Sequence, residues 1–312
     1  MSISFTDSNH YWKKYMKDFF GEHLIDFWET VVKEEWIVSN NNKIHLEIYN
    51  TGDSNAPTLI FSHGIAGYAR LLLPFIEPLY KKGYNVVAPD LTGYGYNRGK
   101  RGKFEFNQLI LDLHNSVLYA KQIFKGKILL GGASMGGPLA YSTASRYGGI
   151  DALVCWCLWD LNDKEFIQNE TTMKNWTIMV TRLLKKLKKI IGNFRIKSKR
   201  IIPYEGLSTP EIVDLISKDP HSGIKLTINA ALSLLTQSIP DIPFENWDIP
   251  TLIFHPEKDT MIPTKYSKRI YDIIASKKKN YIEVKDSIHF PVKDEHYNVW
   301  AEEFNAFIKN II

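Results

Sequence analysis

The sequence predicts an α/β protein with a mostly parallel central sheet and helices on both faces. Short, mostly apolar segments recur along the chain, and segments with helical periodicity separate them. Strands that are apolar throughout are buried on both faces, and parallel neighbours need a helical crossover between them. The segments predicted as these strands are 58–62, 85–88, 127–130, 152–158, 251–254 and 281–284.

The predicted helices alternate with these strands. Apolar residues spaced three and four apart indicate helices at about 69–82, 106–124, 136–147, 264–275 and 294–311. Before the first apolar strand, the same spacing predicts an amphipathic helix at 9–32. Alternating residues then predict an antiparallel hairpin, with strands at 35–38 and 43–49.

The alternation stops between Trp159 and Trp247, where the pattern shows helical segments and loops without a clear core strand. We interpret this stretch as a helical cap inserted over the carboxyl ends of the strands, which is the edge where parallel sheets carry their sites. The chain then divides into an N-terminal helical segment (1–33), a first part of the core (34–158), the cap (159–247) and a second part of the core (248–312).

The composition is that of an ordinary globular protein, with 312 residues, 44% hydrophobic and 23% charged. No run approaches the roughly 18 apolar residues of a membrane span, and the first residues lack the basic-then-apolar order of a signal peptide. Cys155 and Cys157 lie on one predicted strand and would face opposite sides, so no disulfide is expected. No histidine has metal-ligand spacing. We therefore expect a cytoplasmic protein without a metal.

A basic amphipathic helix is predicted inside the cap, at 179–191. Such a helix can lie on an anionic membrane or micelle, although a cap helix with its apolar stripe on the core and its lysines in solvent gives the same pattern. Because no aromatic residues are interleaved with the charges, nucleic acid is not an expected partner. The residues of the predicted peripheral membrane contact are Arg182, Lys185, Lys186, Lys188 and Lys189.

A candidate nucleophile, Ser134, stands between two glycines, Gly132 and Gly136, directly after a predicted strand and before a predicted helix. A sharp turn from strand to helix brings backbones close together, and glycines two residues either side of the serine remove the side chains that would clash. This geometry exposes the hydroxyl beside the free N–H groups of a helix N-terminus, which stabilise negative charge.

A serine hydroxyl needs a base to remove its proton and a carboxylate to orient that base. His289 follows the last predicted strand and is the preferred base, with His255 at the end of the preceding strand as its rival. Asp259 is the preferred acid and Glu257 the second choice. Asp286 is too close in sequence to His289 to be preferred.

The reaction also needs donors for the oxyanion of a tetrahedral intermediate. The backbone N–H of Met135, at the helix start, is one candidate, and the N–H of Ile65, in the loop after the first apolar strand, is the other. In that loop His63 and Gly64 are expected to support the geometry, and His63 is not expected to transfer protons. No cofactor is required.

The chain resembles the α/β-hydrolases, and within them it is similar to the monoglyceride lipase and lysophospholipase-like serine hydrolases, a group related to the S33 serine aminopeptidases. The chain order serine, aspartate, histidine is the one expected for a G-x-S-x-G elbow in this fold. In the loop after 85–88 and in the elbow the chain departs from the group at Thr92, Tyr94, Asn97 and Ala133. The residues that carry the resemblance are His63-Gly64, Gly132-Ala133-Ser134-Met135-Gly136-Gly137, Asp259, Met261-Ile262-Pro263 and His289.

The resemblance implies an α/β-hydrolase fold with an inserted cap and a serine hydrolase that forms an acyl-enzyme. We expect a carboxylic ester hydrolase acting on medium-chain or long-chain acyl esters, such as a monoacylglycerol or a lysophospholipid. The same three residues would serve a thioesterase, an amidase or a peptidase. A non-catalytic protein that keeps the fold for ligand binding is a further alternative.

Overall fold

The computed structural model describes residues 11–171, 186–198, 204 and 206–311. Eight strands form one sheet in the order β1-β2-β4-β3-β5-β6-β9-β10, in which β1, β2 and β4 pair antiparallel and the other neighbours pair parallel. The predicted mostly parallel sheet and the antiparallel hairpin are therefore confirmed. The strands of this sheet are β1 (Val32–Ser39), β2 (Asn42–Tyr49), β3 (Thr58–Ser62), β4 (Asn85–Pro89), β5 (Ile128–Ala133), β6 (Ala152–Trp156), β9 (Thr251–Pro256) and β10 (Lys279–Val284).

Helices cover the sheet. Every residue of β3, β4, β5, β6 and β9 is buried, because helices that connect parallel strands pack on both faces. Within the helical layers α4 packs against α5, and α3 packs against α11. The helices of these layers are α3 (Leu73–Lys81), α4 (Phe106–Ile123), α5 (Gly136–Tyr147), α10 (Thr264–Ile273) and α11 (Asp294–Ile311).

The N-terminal helix predicted at 9–32 is in fact three pieces: α1 (Tyr11–Tyr15), a π-helical turn (Met16–Phe20) and α2 (His23–Val31). The break occurs at Gly21, which has φ 110° and donates its N–H to the carbonyl of Met16. Residues with a side chain rarely adopt this φ, so a glycine at this position permits the chain to turn. Hydrophobic spacing is similar on both sides of the break and therefore does not reveal it.

Between β6 and β9 the chain contains short helices and a separate two-stranded antiparallel sheet. No strand from the described residues of this segment joins the main sheet. No helix in the described ranges is long and apolar enough to cross a membrane. The elements of the segment are α6 (Lys164–Asn169), the described part of α7 (186–191), β7 (Arg195–Lys197), α8 (Pro210–Lys218), β8 (Lys225–Thr227) and α9 (Ile228–Thr236).

Candidate active site

Ser134 lies in a tight turn where β5 ends and α5 begins. Its φ is 55°, in the left-handed region that residues with a side chain seldom adopt. The Ser134 N–H donates to the carbonyl of Trp156 at 2.8 Å, and the Gly137 N–H donates to the carbonyl of Ser134 at 2.8 Å. These bonds hold the strained backbone in place, as is common at functional sites.

The glycines around Ser134 are required by close backbone approach. A Cβ on Gly132 would lie 2.4 Å from the carbonyl carbon of Gly136, and a Cβ on Gly136 would lie 2.4 Å from the carbonyl oxygen of Ser62. Across the turn, a Cβ on Gly64 would lie 2.8 Å from the Ser134 Cβ. The loop after β3 is therefore pressed against the serine, and only glycine fits at these three positions.

Asp259 and His289 form a short, buried contact. His289 Nδ1 lies 2.6 Å from Asp259 Oδ2, while Asp259 Oδ1 accepts hydrogen bonds from the N–H groups of Met261 at 2.9 Å and Ile262 at 2.8 Å. Burial alone would raise the pKa of Asp259, but the charge and hydrogen bond of His289 hold this pKa below its usual value. The carboxylate is thus fixed and ionised beside the imidazole.

His289 and Ser134 line the same cavity. His289 Nε2 is buried and has no hydrogen-bond partner in the described part of the chain. The carbonyl of His289 accepts a hydrogen bond from Trp156 Nε1 at 3.0 Å, which positions its loop against the end of β6. The Nδ1 atom is therefore committed to Asp259, and the Nε2 atom remains available toward the cavity.

The rival base and acids are committed elsewhere. His255 Nδ1 lies 2.8 Å from Ser267 Oγ and its Nε2 lies 2.8 Å from the carbonyl of Ile262, so both ring nitrogens have partners. Glu257 accepts from the Lys285 ammonium at 2.8 Å. The exposed carboxylate of Asp286 pairs with a lysine, Lys258, at 2.6 Å. None of these side chains lines the cavity at Ser134.

His63 has a structural role in the loop that faces Ser134. Its Nδ1 donates to the carbonyl of Gly64 at 2.8 Å, and its Nε2 accepts from the Leu91 N–H at 3.2 Å. An imidazole with one donor and one acceptor nitrogen is neutral, and burial lowers the pKa of His63 accordingly. These hydrogen bonds hold the loop that carries Ile65.

Two apolar cavities meet at Ser134. The first cavity, of about 60 Å³, lies on the side of His289, and the second, of about 30 Å³, lies on the side of Met135. Ile65 borders both cavities, and Met135 borders the second. The other apolar residues of the first cavity include Leu71, Leu72, Leu207, Ile216 and Phe290. Those of the second include Trp159, Leu161, Phe166, Leu234 and Met261.

Cys157 contacts the candidate acid, which the sequence does not predict. The strand predicted to run to 158 ends at Trp156, and Cys157 has φ 69°, so the expected alternation of Cys155 and Cys157 on one strand is wrong. The turn brings Cys157 Sγ within 3.6 Å of Asp259 Oδ2. Burial and the nearby carboxylate raise the pKa of this thiol, which therefore stays protonated as a donor. Both cysteines are free, as expected.

Two clusters of described residues bring three potential metal-ligand atoms close together, as a metal ion would require. One is Cys157, Asp259 and His289, where a metal would displace the 2.6 Å contact between the last two. The other is Glu34, His45 and Glu47, whose two carboxylates already bind the guanidinium of a buried arginine, Arg70. In both clusters the existing partners satisfy the charges, and neither geometry favours a metal.

Comparison with known proteins places the chain in a family. Residues 53–296 match the Hydrolase_4 family, described as serine aminopeptidase, S33. The match covers well over half of the 312 residues. The chain belongs to this family. The predicted relationship to the S33 group of α/β-hydrolases is therefore confirmed, and Ser134, Asp259 and His289 all lie within the matched range.

Relatives of this S33 family member are distant in sequence and similar in fold. An uncharacterized 31.7 kDa protein in the traX-finO intergenic region of Escherichia coli is 23% identical over 247 residues, which are 77% of this chain and 86% of that protein. A soluble variant of monoglyceride lipase from Saccharomyces cerevisiae, in complex with a substrate analogue, superposes with a TM-score of 0.69 at 15% identity and covers 90% of this chain and 96% of its own. The monoacylglycerol lipase of Paleococcus ferrophilus gives 0.65 at 18% identity, over 85% and 99%.

Proposed function

We propose that this protein is a serine hydrolase that cleaves carboxylic esters of medium or long acyl chains. The observation that carries the proposal is the 2.6 Å contact between His289 and Asp259, set at one apolar cavity with a strained serine, Ser134. The three residues lie at the ends of different strands, and their neighbours fix each of them. Such an arrangement is expected when a hydroxyl must be activated as a nucleophile.

In the proposed mechanism the Ser134 hydroxyl oxygen attacks the acyl carbonyl carbon while His289 Nε2 takes its proton. Asp259 holds the Nδ1 proton of His289 and stabilises the imidazolium. The N–H groups of Ile65 and Met135 bind the oxyanion of the tetrahedral intermediate. The imidazolium then protonates the departing alcohol, leaving the acyl group on the serine. A water molecule deprotonated by His289 attacks this acyl-enzyme, and the carboxylic acid leaves.

The cavities support an apolar acyl group of medium length. One water-sized group occupies about 10–15 Å³, so the first cavity holds roughly four to six such groups and the second roughly two or three. A longer chain, such as that of a monoacylglycerol or lysophospholipid, would fit once the surrounding side chains or the cap move outward. The lining is almost entirely apolar, which favours an acyl chain over a polar substituent.

The two cavities also argue for an ester over an aminopeptidase substrate. An aminopeptidase must bind the α-ammonium group of its substrate, and a buried cation requires a paired negative charge. No Asp or Glu is among the described residues that line either cavity. Thioesters and simple amides lack that ammonium group, so they are retained as alternative substrates of the same three residues.

The proposal is tested with a panel of acyl esters from acetyl to hexadecanoyl, together with a monoacylglycerol, a lysophospholipid, an acyl thioester and an aminoacyl anilide. We expect the highest kcat/KM for acyl esters of medium or long chain and none for the anilide, with all activity lost in Ser134→Ala. Activity confined to acetyl esters, or undiminished in Ser134→Ala, would contradict the proposal.

We further propose that the basic part of the cap makes a peripheral contact with an anionic membrane or micelle. In the described part of α7, Lys186, Lys188 and Lys189 are exposed, and Ile190 keeps 75% of its surface in solvent. Phe194 follows with 66% exposed. Apolar side chains standing among cations suit insertion between anionic headgroups. Arg182 and Lys185 of the same predicted contact lie outside the described residues.

Liposome co-sedimentation tests this contact. We expect binding to anionic vesicles that weakens with salt, little binding to neutral vesicles, and a loss of binding when Lys186, Lys188 and Lys189 are all changed to Glu. The matched control changes two exposed lysines of another surface, Lys277 and Lys278, to Glu. Equal binding by both variants and the wild type would exclude the contact.

A further inference from the structure

The N-terminal segment, residues 11–31, lies outside the range that matches the family, yet much of it is buried in the protein. Trp12, Tyr15, Met16 and Phe20 are each at most 5% exposed. A helix that merely covers a surface buries one stripe and leaves its large residues partly in solvent. Here four large side chains within nine positions are inside the protein. The segment is therefore an integral part of the packed structure.

The segment touches the wall of the first cavity directly at one point. The ring of Phe20 packs edge-on against the ring of Phe290, with 5.7 Å between centroids, and against Tyr297 at 6.2 Å. Phe290 is the residue after His289 and lines the first cavity. Phe20 does not line the first cavity itself, so it supports the cavity wall through its contact with Phe290.

A second point of support is Arg70. Its guanidinium lies 4.2 Å from the ring centroid of Trp28 and 5.3 Å from that of Trp12, and its Nε donates to Glu47 at 2.6 Å. Arg70 belongs to the short 3₁₀ turn Ala69–Leu72, and the next two residues, Leu71 and Leu72, line the first cavity. A desolvated cation between aromatic faces is held firmly, so the segment fixes this part of the wall as well.

A third point of support lies in the cap. Helix α1 packs against α8, and Tyr15 lies close enough to the Asp219 carboxylate at the end of α8 that burial and this charge raise the pKa of its phenol. Asp219 also accepts a hydrogen bond from Tyr68 at 2.9 Å. In α8, Ile216 lines the first cavity. The segment therefore supports wall residues from three places: the 3₁₀ turn of the core, the loop after β10 that carries His289, and helix α8 of the cap.

We infer that residues 11–31 form the layer that supports the wall of the first cavity and thereby limit the length of the acyl chain that the cavity accepts. The inference rests on the proposed function for the identity of the ligand. Its physical basis is close packing: the wall side chains Leu71, Ile216 and Phe290 can move outward only where space exists behind them. Shortening a side chain of the segment at such a point creates that space.

Phe20→Ala tests the inference, with Phe27→Ala as its matched control. Phe27 is a phenylalanine of the same segment, but its ring stacks on Tyr49 at 5.7 Å and packs edge-on against Tyr80 at 5.2 Å. Neither tyrosine is among the described residues that line the two cavities at Ser134. Both variants lose a packed ring. Only Phe20→Ala opens space behind Phe290.

Two quantities are measured for butanoyl and dodecanoyl chains. The first is kcat/KM for the esters. The second is the Kd of the free carboxylates, measured by calorimetry on proteins in which Ser134→Ala is combined with each of the phenylalanine substitutions. A methylene group in an apolar pocket changes kcat/KM by about tenfold or more. We therefore expect Phe20→Ala to raise the dodecanoyl-to-butanoyl ratio by roughly tenfold in both readouts, and Phe27→Ala to leave it within about twofold. Phe20→Leu, which retains more packing, should shift it less in the same direction.

The outcomes separate this inference from the proposed function. An unchanged chain-length ratio in Phe20→Ala, with the fold intact by circular dichroism, would overturn the inference even if the wild type hydrolyses esters. An equal shift in Phe27→Ala would overturn it too, because general loosening would then explain the change. If Phe20→Ala shifted the ratio of carboxylate Kd values but the wild type hydrolysed no ester, the inferred role of residues 11–31 would be supported. Only the proposed hydrolase activity would then be refuted.

Discussion

Gly64→Ala should disable the site while leaving the rest of the fold intact. The new Cβ would lie 2.8 Å from the Ser134 Cβ, 3.1 Å from the carbonyl oxygen of Ala133 and 3.3 Å from the Ser134 Oγ. Carbon atoms in contact prefer about 3.5–4.0 Å, so the loop and the serine must separate by roughly 0.7 Å or more. That movement would carry the Ile65 N–H away from the position proposed for the oxyanion.

The size of the effect follows from this displacement. Loss of one oxyanion donor costs about 10²–10³ in kcat, and a misplacement of about 1 Å costs about 10². We expect kcat for the preferred acyl ester to fall by about 10²–10³, with a smaller change in KM because the cavity-lining side chains outside this loop, such as Leu207 and Phe290, are unaltered. Steady-state kinetics with that ester, together with the melting temperature, measure both consequences.

Gly67→Ala is the matched control for this prediction. Gly67 belongs to the same loop, but its added Cβ would come no closer than 3.3 Å to its nearest contacts, the Gly64 carbonyl oxygen and the His63 Cβ. We expect this variant to lose less than about tenfold in kcat. Equal losses in the two variants, or a Gly64→Ala enzyme with normal kcat, would refute the close approach of the loop to Ser134 as the reason for this glycine.

Three further predictions concern the buried polar groups. Asp259→Asn should lower kcat by about 10⁴ at neutral pH with a near-normal melting temperature, because the amide favours the wrong imidazole tautomer; a loss below tenfold would contradict the role of Asp259. Cys157→Ala should lower kcat by roughly fivefold, because Asp259 loses a hydrogen-bond donor. Cys157→Ser keeps a donor, so its kcat should stay within about twofold of the wild type. Equal kcat values for the wild type and Cys157→Ala would exclude the thiol from positioning the acid. Although burial opposes it, the hydrogen bonds that His45 donates to the carboxylates of Asp90 and Glu34 raise the pKa of His45 to about 10. Because the folded-state pKa is the higher one, this stabilisation is complete below the unfolded pKa of about 6.5 and is lost as pH rises toward 10. The free energy of unfolding of the wild type should therefore fall by roughly a few kcal/mol from pH 6.5 to pH 10, and that of His45→Gln should fall much less; parallel urea curves for the two proteins would contradict this.

Local sequence patterns predict the sheet because its central strands are mostly apolar and the connections between its parallel strands are helical. The same patterns place Ser134, Asp259 and His289 near one another, since the carboxyl ends of parallel strands meet at one edge of a sheet. The preference for His289 over His255 rests in the sequence on strand order alone. In the structure both ring nitrogens of His255 have partners, whereas His289 Nε2 has none among the described residues.

Features that depend on one backbone angle or on distant segments escape such patterns. The turn at Cys157 ends β6 two residues earlier than its apolar run, and nothing in that run signals a positive φ. The break at Gly21 is similar, since a glycine inside an amphipathic pattern is compatible with a continuous helix. The burial of Arg70 among Trp12, Trp28 and Glu47 depends on three separate segments meeting.

Covalent labelling with a fluorophosphonate probe shows whether Ser134 is an activated nucleophile. Intact-mass analysis and peptide mapping should show one adduct on Ser134 of the folded wild type, formed faster than on the unfolded chain. The Ser134→Ala and His289→Ala variants should remain unlabelled under the same conditions. A folded wild type that takes no label, or takes it on another residue, would contradict this role of Ser134.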